Sequence, residues 1–333
     1  MKVVTDDVYG DHLRGIRHPE SPDRVEVVAS RLSERGLFGE RVATRDATDE
    51  EIERVHAAGY LELVKREIGT LAGVRDLSTG DVTVDAGSLI VARRAAGGAI
   101  VALESAVNDR APAFALVRPP GHHAEASRGM GFCVFNNAAI AARAYQAEHG
   151  GHVLVVDFDY HHGNGTQDVA GNGLSYVSTH ASPAYPGTGY ETASIGRDII
   201  ANVPLPVAGI ATEAFIAIWE RLLARTAEYI RPDAIVVSAG FDYVKGDPVG
   251  DLGIDVAAAN ALGVAIGRTA ATYCSGRVAY ILEGGYQIDA LTDSIEHILR
   301  TNDADEPKLG DPDTRSIPRE QREFLDRVDA LAE

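Results

Sequence analysis

The chain has 333 residues, 45% of them hydrophobic, with a mean hydropathy of -0.08, enough apolar material for one large core. A formal charge of -18 argues against direct nucleic-acid binding, which needs a basic face. Two cysteines, Cys133 and Cys274, exclude a disulfide framework, and no run approaches ~18 apolar residues, so no membrane span is expected. The start carries no apolar signal region, and the expected location is the cytoplasm.

The elements alternate along the chain. Lys2–Thr5 reads as a strand and Asp23–Leu32 as a helix, and Thr48-x-x-Glu51 has the form of a capping box opening a short helix. Ser88–Val107 is a long helix that leads to the strand Ala113–Val117. The stiff loop Arg118-Pro-Pro-Gly-His122-His123 follows, kept out of helix by its prolines. Helix Asn137–Glu148, strands Val153–Asp157 and Leu174–Thr179, and helix Thr212–Ile230 come next. Strand Ala234–Ala239, helix Val256–Cys274, strand Arg277–Leu282 and helix Ile288–Leu299 complete the pattern. This alternation predicts an α/β fold: one domain over residues 1–333, with a mostly parallel central sheet flanked by helices on both faces. Residues 301–318 are polar and rich in Pro and Asp, and read as a surface loop. Glu320–Ala332 reads as an amphipathic helix with Phe324, Leu325, Val328 and Leu331 on one face, to dock on the body or to meet a partner. An oligomer is left open.

Four strand ends carry chemistry. After Val153–Val156 comes Asp157-Phe-Asp159-Tyr-His161-His162-Gly-Asn164. The period-two geometry of extended chain puts Asp157, Asp159 and His161 on one side. Packed ionisable groups of this kind are costly without a partner or a metal. Imidazole with carboxylate suits zinc or iron better than calcium. His122 and His123 at the end of the proline loop suit general acid/base work. Strand Val236–Ala239 runs on to Gly240-Phe-Asp242, and strand Ala279–Leu282 to Glu283-Gly284-Gly285-Tyr286. Open α/β sheets bind ligands at such carboxyl ends.

In order and spacing these segments resemble the zinc-dependent histone deacetylase and acetylpolyamine amidohydrolase family, of the arginase/deacetylase fold, from about His18 to Tyr286. The segments His18-Pro-Glu-Ser-Pro-Asp-Arg24 and Ser182-Pro-Ala-Tyr-Pro-Gly-Thr-Gly189 are similar to that family too. The histidine/proline start and the Gly163-Asn-Gly-Thr-Gln167 form are closer to its class II and bacterial amidohydrolase branches. The resemblance implies Asp159, His161 and Asp242 as ligands of Zn2+, with Fe2+ as the alternative metal. It implies His123 as general base and later acid, and His122 as its electrostatic partner. Asp157 would orient His122, Asn164 would orient His123, and Tyr286 would donate its hydroxyl to the developing oxyanion. A potassium site is implied on Asp157 and Ser178 with backbone oxygens of Asp159, His161 and Thr179. Gly131, Phe132 and Tyr185 would line a tunnel that grips an aliphatic arm, with Val249 and Gly284 on its wall. Asp81 would sit at the rim and hold a peptide N–H.

The implied substrate is an acylated lysine or a small acylamide, with acetylpolyamine as the close rival. One polyamine branch of the family places Glu after Gly-Asp-Pro, where this chain has Val249. Polyamine enzymes also tend to carry a long insertion before the Gly97-Gly98 helix, where this chain has a short polar stretch between Leu63 and Ser88. The charge of -18 would attract either cationic substrate, and also serves plain solubility. Two further readings differ in class. A dimanganese ureohydrolase wants a second carboxylate near Asp242, which Tyr243 and Val244 do not supply. A noncatalytic acyl-ligand binder has no need of His122, His123 and Tyr286 together.

Overall fold

Short Val-, Ile- and Leu-rich runs build the centre of the sheet, and they are buried on both faces, as parallel strands covered by helices must be. The computed structural model describes residues 1–38, 41–301 and 314–331. Its strands are β1 (Lys2–Val4), β2 (Arg41–Val42), β3 (Arg75–Asp76), β4 (Thr83–Val84), β5 (Ala113–Ala115), β6 (Val153–Asp157), β7 (Leu174–Ser182), β8 (Thr192–Ile195), β9 (Asp198–Pro206), β10 (Ala234–Ala239) and β11 (Val278–Leu282). Its helices are α1 (Asp23–Glu34), α2 (Asp49–Glu53), α3 (Ala58–Gly69), α4 (Ser88–Asp109), α5 (Asn137–His149), α6 (Asn164–Asp168), α7 (Thr212–Ile230), α8 (Ala258–Tyr273), α9 (Ile288–Arg300) and α10 (Arg319–Leu331).

Nine strands form one sheet in the order β2-β1-β5-β11-β10-β6-β7-β9-β8, and β3 and β4 form a separate hairpin. All neighbours in the large sheet run parallel except β8 against β9. Strands β6, β10 and β11 lie adjacent and are buried along their whole length. Their carboxyl ends therefore open side by side. In register, Asp157 stands between Ser178 of β7 and Ser238 of β10. Helices α4 and α5 pack together over β11, β6 and β10, while α1, α9, α8 and α7 pack in series as the second layer.

Most expected elements are present within a residue or two. The Thr48 capping box is complete in both directions, at 3.2 and 2.8 Å. Helix α10 docks on α7, β8 and β9 through buried Leu325 and Val328, so the docking alternative holds. Of the expected loop at 301–318, residues 302–313 lie outside the described residues, and Thr314–Ser316 is a 3-10 turn.

Seven of these elements were not anticipated: helices α3 and α6 and strands β2, β3, β4, β8 and β9. Pro204 and Pro206 disguise β9, since proline cannot donate to a ladder. They are tolerated because β8 pairs only with Asp198 to Ala201, which leaves the outer side of β9 beyond that point without a neighbouring strand. Among the described residues no helix is long and apolar enough to cross a membrane.

Candidate active site

Three side chains from two strand ends converge. Asp159 and His161 follow β6 and Asp242 follows β10, and one ligand atom from each lies within 4.8 Å of the others. His161 Nδ1 stands 3.2 Å from Asp159 Oδ1 and 2.9 Å from Asp242 Oδ2. A single ring nitrogen cannot serve both carboxylates with one proton. Asp242 Oδ2 is buried and, despite its proximity to the imidazole, makes no hydrogen bond of usable geometry. Gly284, after β11, closes the cradle. A Cβ there would meet Asp159 Oδ2 and Asp242 Oδ2, each at 2.6 Å. Its N–H donates to Asp159 Oδ2 at 2.8 Å. An unmet buried carboxylate oxygen, an imidazole and a second carboxylate form a donor set that suits a zinc-like cation.

The electrostatics point the same way. Burial works against the charged forms of His122 and His161, yet neighbouring carboxylates lift each to about 10. Burial and the charge of Asp159 push Asp242 up to about 6. Asp159 itself is held low against burial, chiefly by His122 and His161. The pocket thus packs more negative charge than its histidines comfortably neutralise, and a divalent cation would relieve it.

The two loop histidines sit beside this cluster with their rings 4.1 Å apart. His122 Nδ1 is 3.1 Å from Asp157 Oδ2, and its Nε2 is 3.8 Å from Asp159 Oδ1. His123 Nδ1 is 2.9 Å from Asn164 Oδ1. Because Asn164 Oδ1 can only accept, this bond puts the proton on Nδ1 and leaves Nε2 with a free lone pair. Burial, His122 and His161 hold His123 well below the ordinary histidine range. Asp157 and Asn164 thus each stand against the Nδ1 of one histidine of the pair.

Behind them stand residues that the sequence did not flag. Tyr176 donates to Asp157 Oδ2 at 2.9 Å, and Asn164 Nδ2 donates to Glu125 Oε1 at 2.7 Å. The neutral partner of His123 is thus itself backed by a carboxylate. Glu283 is fully buried, pushed up to about 7 by burial, and accepts from the N–H groups of Gly121 and His122. It anchors the proline loop to β11. Arg118 and Arg24 share the buried carboxylate of Glu20. Apart from Arg24 with Glu20, four residues away, these contacts have no local signal, because their partners are distant in the chain.

Of these groups, His122, His123, Asp159, His161 and Gly284 open into one cavity of about 190 Å3. Its lining includes His122, His123, Asp159, His161 and Tyr286, together with each expected wall residue: Asp81, Gly131, Phe132, Tyr185, Val249 and Gly284. Pro120 lines it as well. The Tyr185 ring stands edge-on to His123 with centroids 5.1 Å apart, and Phe132 stands edge-on to Tyr286 at 6.0 Å. Asp81 Oδ1 accepts from Gly131 N at 3.0 Å and from the Tyr185 hydroxyl at 3.2 Å, so the rim is tied to the wall. Ser178 lies opposite Asp157 in register, and its hydroxyl meets His180 Nδ1 at 3.0 Å. A larger hollow of about 250 Å3 beside α2, α4 and α5 has no comparable convergence of groups.

Two carboxylates and an imidazole fit for a metal, a histidine pair and a tyrosine in an aromatic-walled pocket define a hydrolase-type centre on a parallel α/β sheet. The profile of the histone deacetylase domain matches residues 18–302. Histone deacetylase 15 of Arabidopsis thaliana is 35% identical over 85% of this chain, which spans 52% of that protein's length. A probable deacetylase of Archaeoglobus fulgidus is 32% identical over 86% of this chain and 81% of its own. A histone deacetylase-like amidohydrolase of Pseudomonas aeruginosa is 36% identical, covering 81% and 72%. The crystal structure of the HDA15 HD domain superposes with a TM-score of 0.87 at 30% identity, covering 99% of this chain and 93% of that one. The chain belongs to the histone deacetylase family, hydrolases of the deacetylase and amidohydrolase type that act on amide bonds.

Proposed function

We propose that this protein is a zinc-dependent amidohydrolase that cleaves an N-acyl amide, with an acylated lysine side chain as the favoured substrate class. The observation that carries the reading is the convergence of Asp159, His161 and Asp242 with His123 and Tyr286 around one narrow cavity. Asp159, His161 and Asp242 would hold Zn2+. When bound, the metal supplies Lewis-acid polarisation of the acyl carbonyl and acidifies water.

The chain's own groups supply the rest. His123, with Nδ1 engaged by Asn164, presents Nε2 to take a proton from the attacking water. His122, held by Asp157, keeps positive charge beside the reacting centre. The Tyr286 hydroxyl donates to the oxygen that becomes anionic. His123 then returns its proton to the departing nitrogen, so amide and water become carboxylate and amine. Phe132 and Tyr185 flank an aliphatic arm, and Asp81 at the rim faces a backbone N–H. Asp157 and Ser178, side by side on β6 and β7, would share a K+ ion with backbone oxygens of Asp159, His161 and Thr179.

Two features favour acyl-lysine over acetylpolyamine. Val249 offers the wall no carboxylate, and the two carboxylates in its loop, Asp247 and Asp251, already accept from backbone N–H groups. The dimanganese alternative lacks support, since Tyr243 is buried against Phe215 and Phe158. The test is release of carboxylate from an acetyl-lysine peptide. Chelation should abolish turnover, and one equivalent of Zn2+ per chain should restore it. Full turnover in the chelated, metal-free protein would refute the proposal.

A further inference from the structure

We propose that Asp247 is a positioning residue that sets the Tyr286 hydroxyl for the reaction, an inference that rests on the oxyanion-donor reading of Tyr286. Asp247 is 6% exposed and touches neither the histidine pair nor the three candidate metal ligands by any hydrogen bond. Its carboxylate is spent on the backbone. Oδ2 accepts from Tyr286 N at 2.6 Å and Gln287 N at 3.0 Å. Oδ1 accepts from Val249 N at 2.9 Å and Gly250 N at 3.1 Å. One side chain thus clamps together the wall loop of Val249 and the donor loop of Tyr286, whose strand ends also meet where Phe241 N donates to Gly284 O at 3.1 Å.

The donor loop needs such a clamp. Gly285 holds φ at +115°, a backbone state that imposes little steric restraint on glycine. On the other side Arg24 Nε donates to Gly285 O at 2.7 Å, and its guanidinium carbon lies 4.8 Å from the centre of the Tyr286 ring. The tyrosine is therefore gripped through its own N–H by Asp247 and through the preceding carbonyl by Arg24. The wall loop is fixed in turn, since Asp251 N donates to Asp242 O at 2.8 Å. Through this chain of bonds the clamp takes its reference from the strand end that also carries Asp242.

Asp247→Asn separates the two halves of the clamp. The amide oxygen still accepts from Val249 and Gly250, while an NH2 group now faces the N–H groups of Tyr286 and Gln287. Asp247→Ser acts in the same direction by another route. A serine hydroxyl can support the local turn but is too short to reach the donor loop. In either variant kcat should fall by about 100-fold, the scale of an ångström of misplacement, with KM and bound zinc little changed.

The deciding experiment is a double-mutant cycle with Tyr286→Phe, with kcat, KM, zinc content and melting temperature measured for each protein. If Asp247 acts through the tyrosine hydroxyl, D247N or D247S costs less than about 3-fold in kcat once that hydroxyl is gone. A merely structural Asp247 gives the same large loss in both backgrounds, and that additivity overturns the proposal. If D247N does not fold, D247S carries the same comparison. Wild-type kcat in Y286F alone is a different result. It overturns the oxyanion reading and the clamp with it, whereas additivity overturns only the clamp.

Discussion

Asp242 Oδ2 is a buried acceptor 2.9 Å from an imidazole nitrogen that also faces a second carboxylate. Leaving such a group unmet costs about 1–3 kcal/mol, which a bound cation would offset. Asp242→Ala is therefore expected to lose stoichiometric zinc by elemental analysis, and retained zinc would remove Asp242 from the ligand set. Tyr286→Phe should keep its zinc and lose about 100- to 1000-fold in kcat, the scale of one oxyanion donor. Unchanged turnover would show that the hydroxyl plays no part. These side chains were legible in the sequence because a two-residue period and four strand ends group them. Tyr176, Glu125 and Asp247 were not, since each acts through a hydrogen bond to a residue far along the chain or to bare backbone, and neither leaves a pattern in residue type.

At the level of elements, the site exists because β6, β10 and β11 are neighbours and end together. The apolar runs revealed those strands, and their acidic or glycine ends revealed which edge carries the chemistry. Strand order was not readable, because β11 enters the sheet between β5 and β10 although it comes last. Strands β8 and β9 escaped for a different reason, as short length blurs the periodicity of β8 and prolines that of β9, whereas α3 does carry a helical spacing in Tyr60, Leu61, Val64 and Ile68. Gly284 shows how tightly the strand ends approach. In Gly284→Ala the new methyl would lie 2.6 Å from oxygens of both Asp159 and Asp242. Zinc affinity should fall by at least about 10-fold in a competition titration with a chelator, the low end of what disturbing a ligand's surroundings costs. Wild-type affinity would mean that the cradle yields without affecting the ligands.

The whole molecule should respond to acid through His56, a buried histidine that does not line the cavity. His56 Nε2 accepts from Asn136 N at 2.9 Å, and its Nδ1 meets the Glu125 carbonyl at the same distance. A second proton would destroy the Nε2 bond, and burial lowers His56 from 6.5 to about 4. The unfolded chain binds that proton first. Stability is therefore complete above about pH 6.5 and falls as the pH drops toward 4, by on the order of 3 kcal/mol. The stability difference between wild type and His56→Gln, from urea unfolding, should shrink across that window, and a constant difference would contradict the assignment.

We propose a one-metal amidohydrolase with a lysine-like substrate. It is tested most directly by turnover of the zinc-loaded protein on an acetyl-lysine peptide and on N8-acetylspermidine in parallel, with metal counted in the same sample. One zinc per chain and a higher kcat/KM on the peptide are expected. Preference for the polyamine would contradict the substrate assignment, and two metals per chain or turnover without metal would contradict the mechanism.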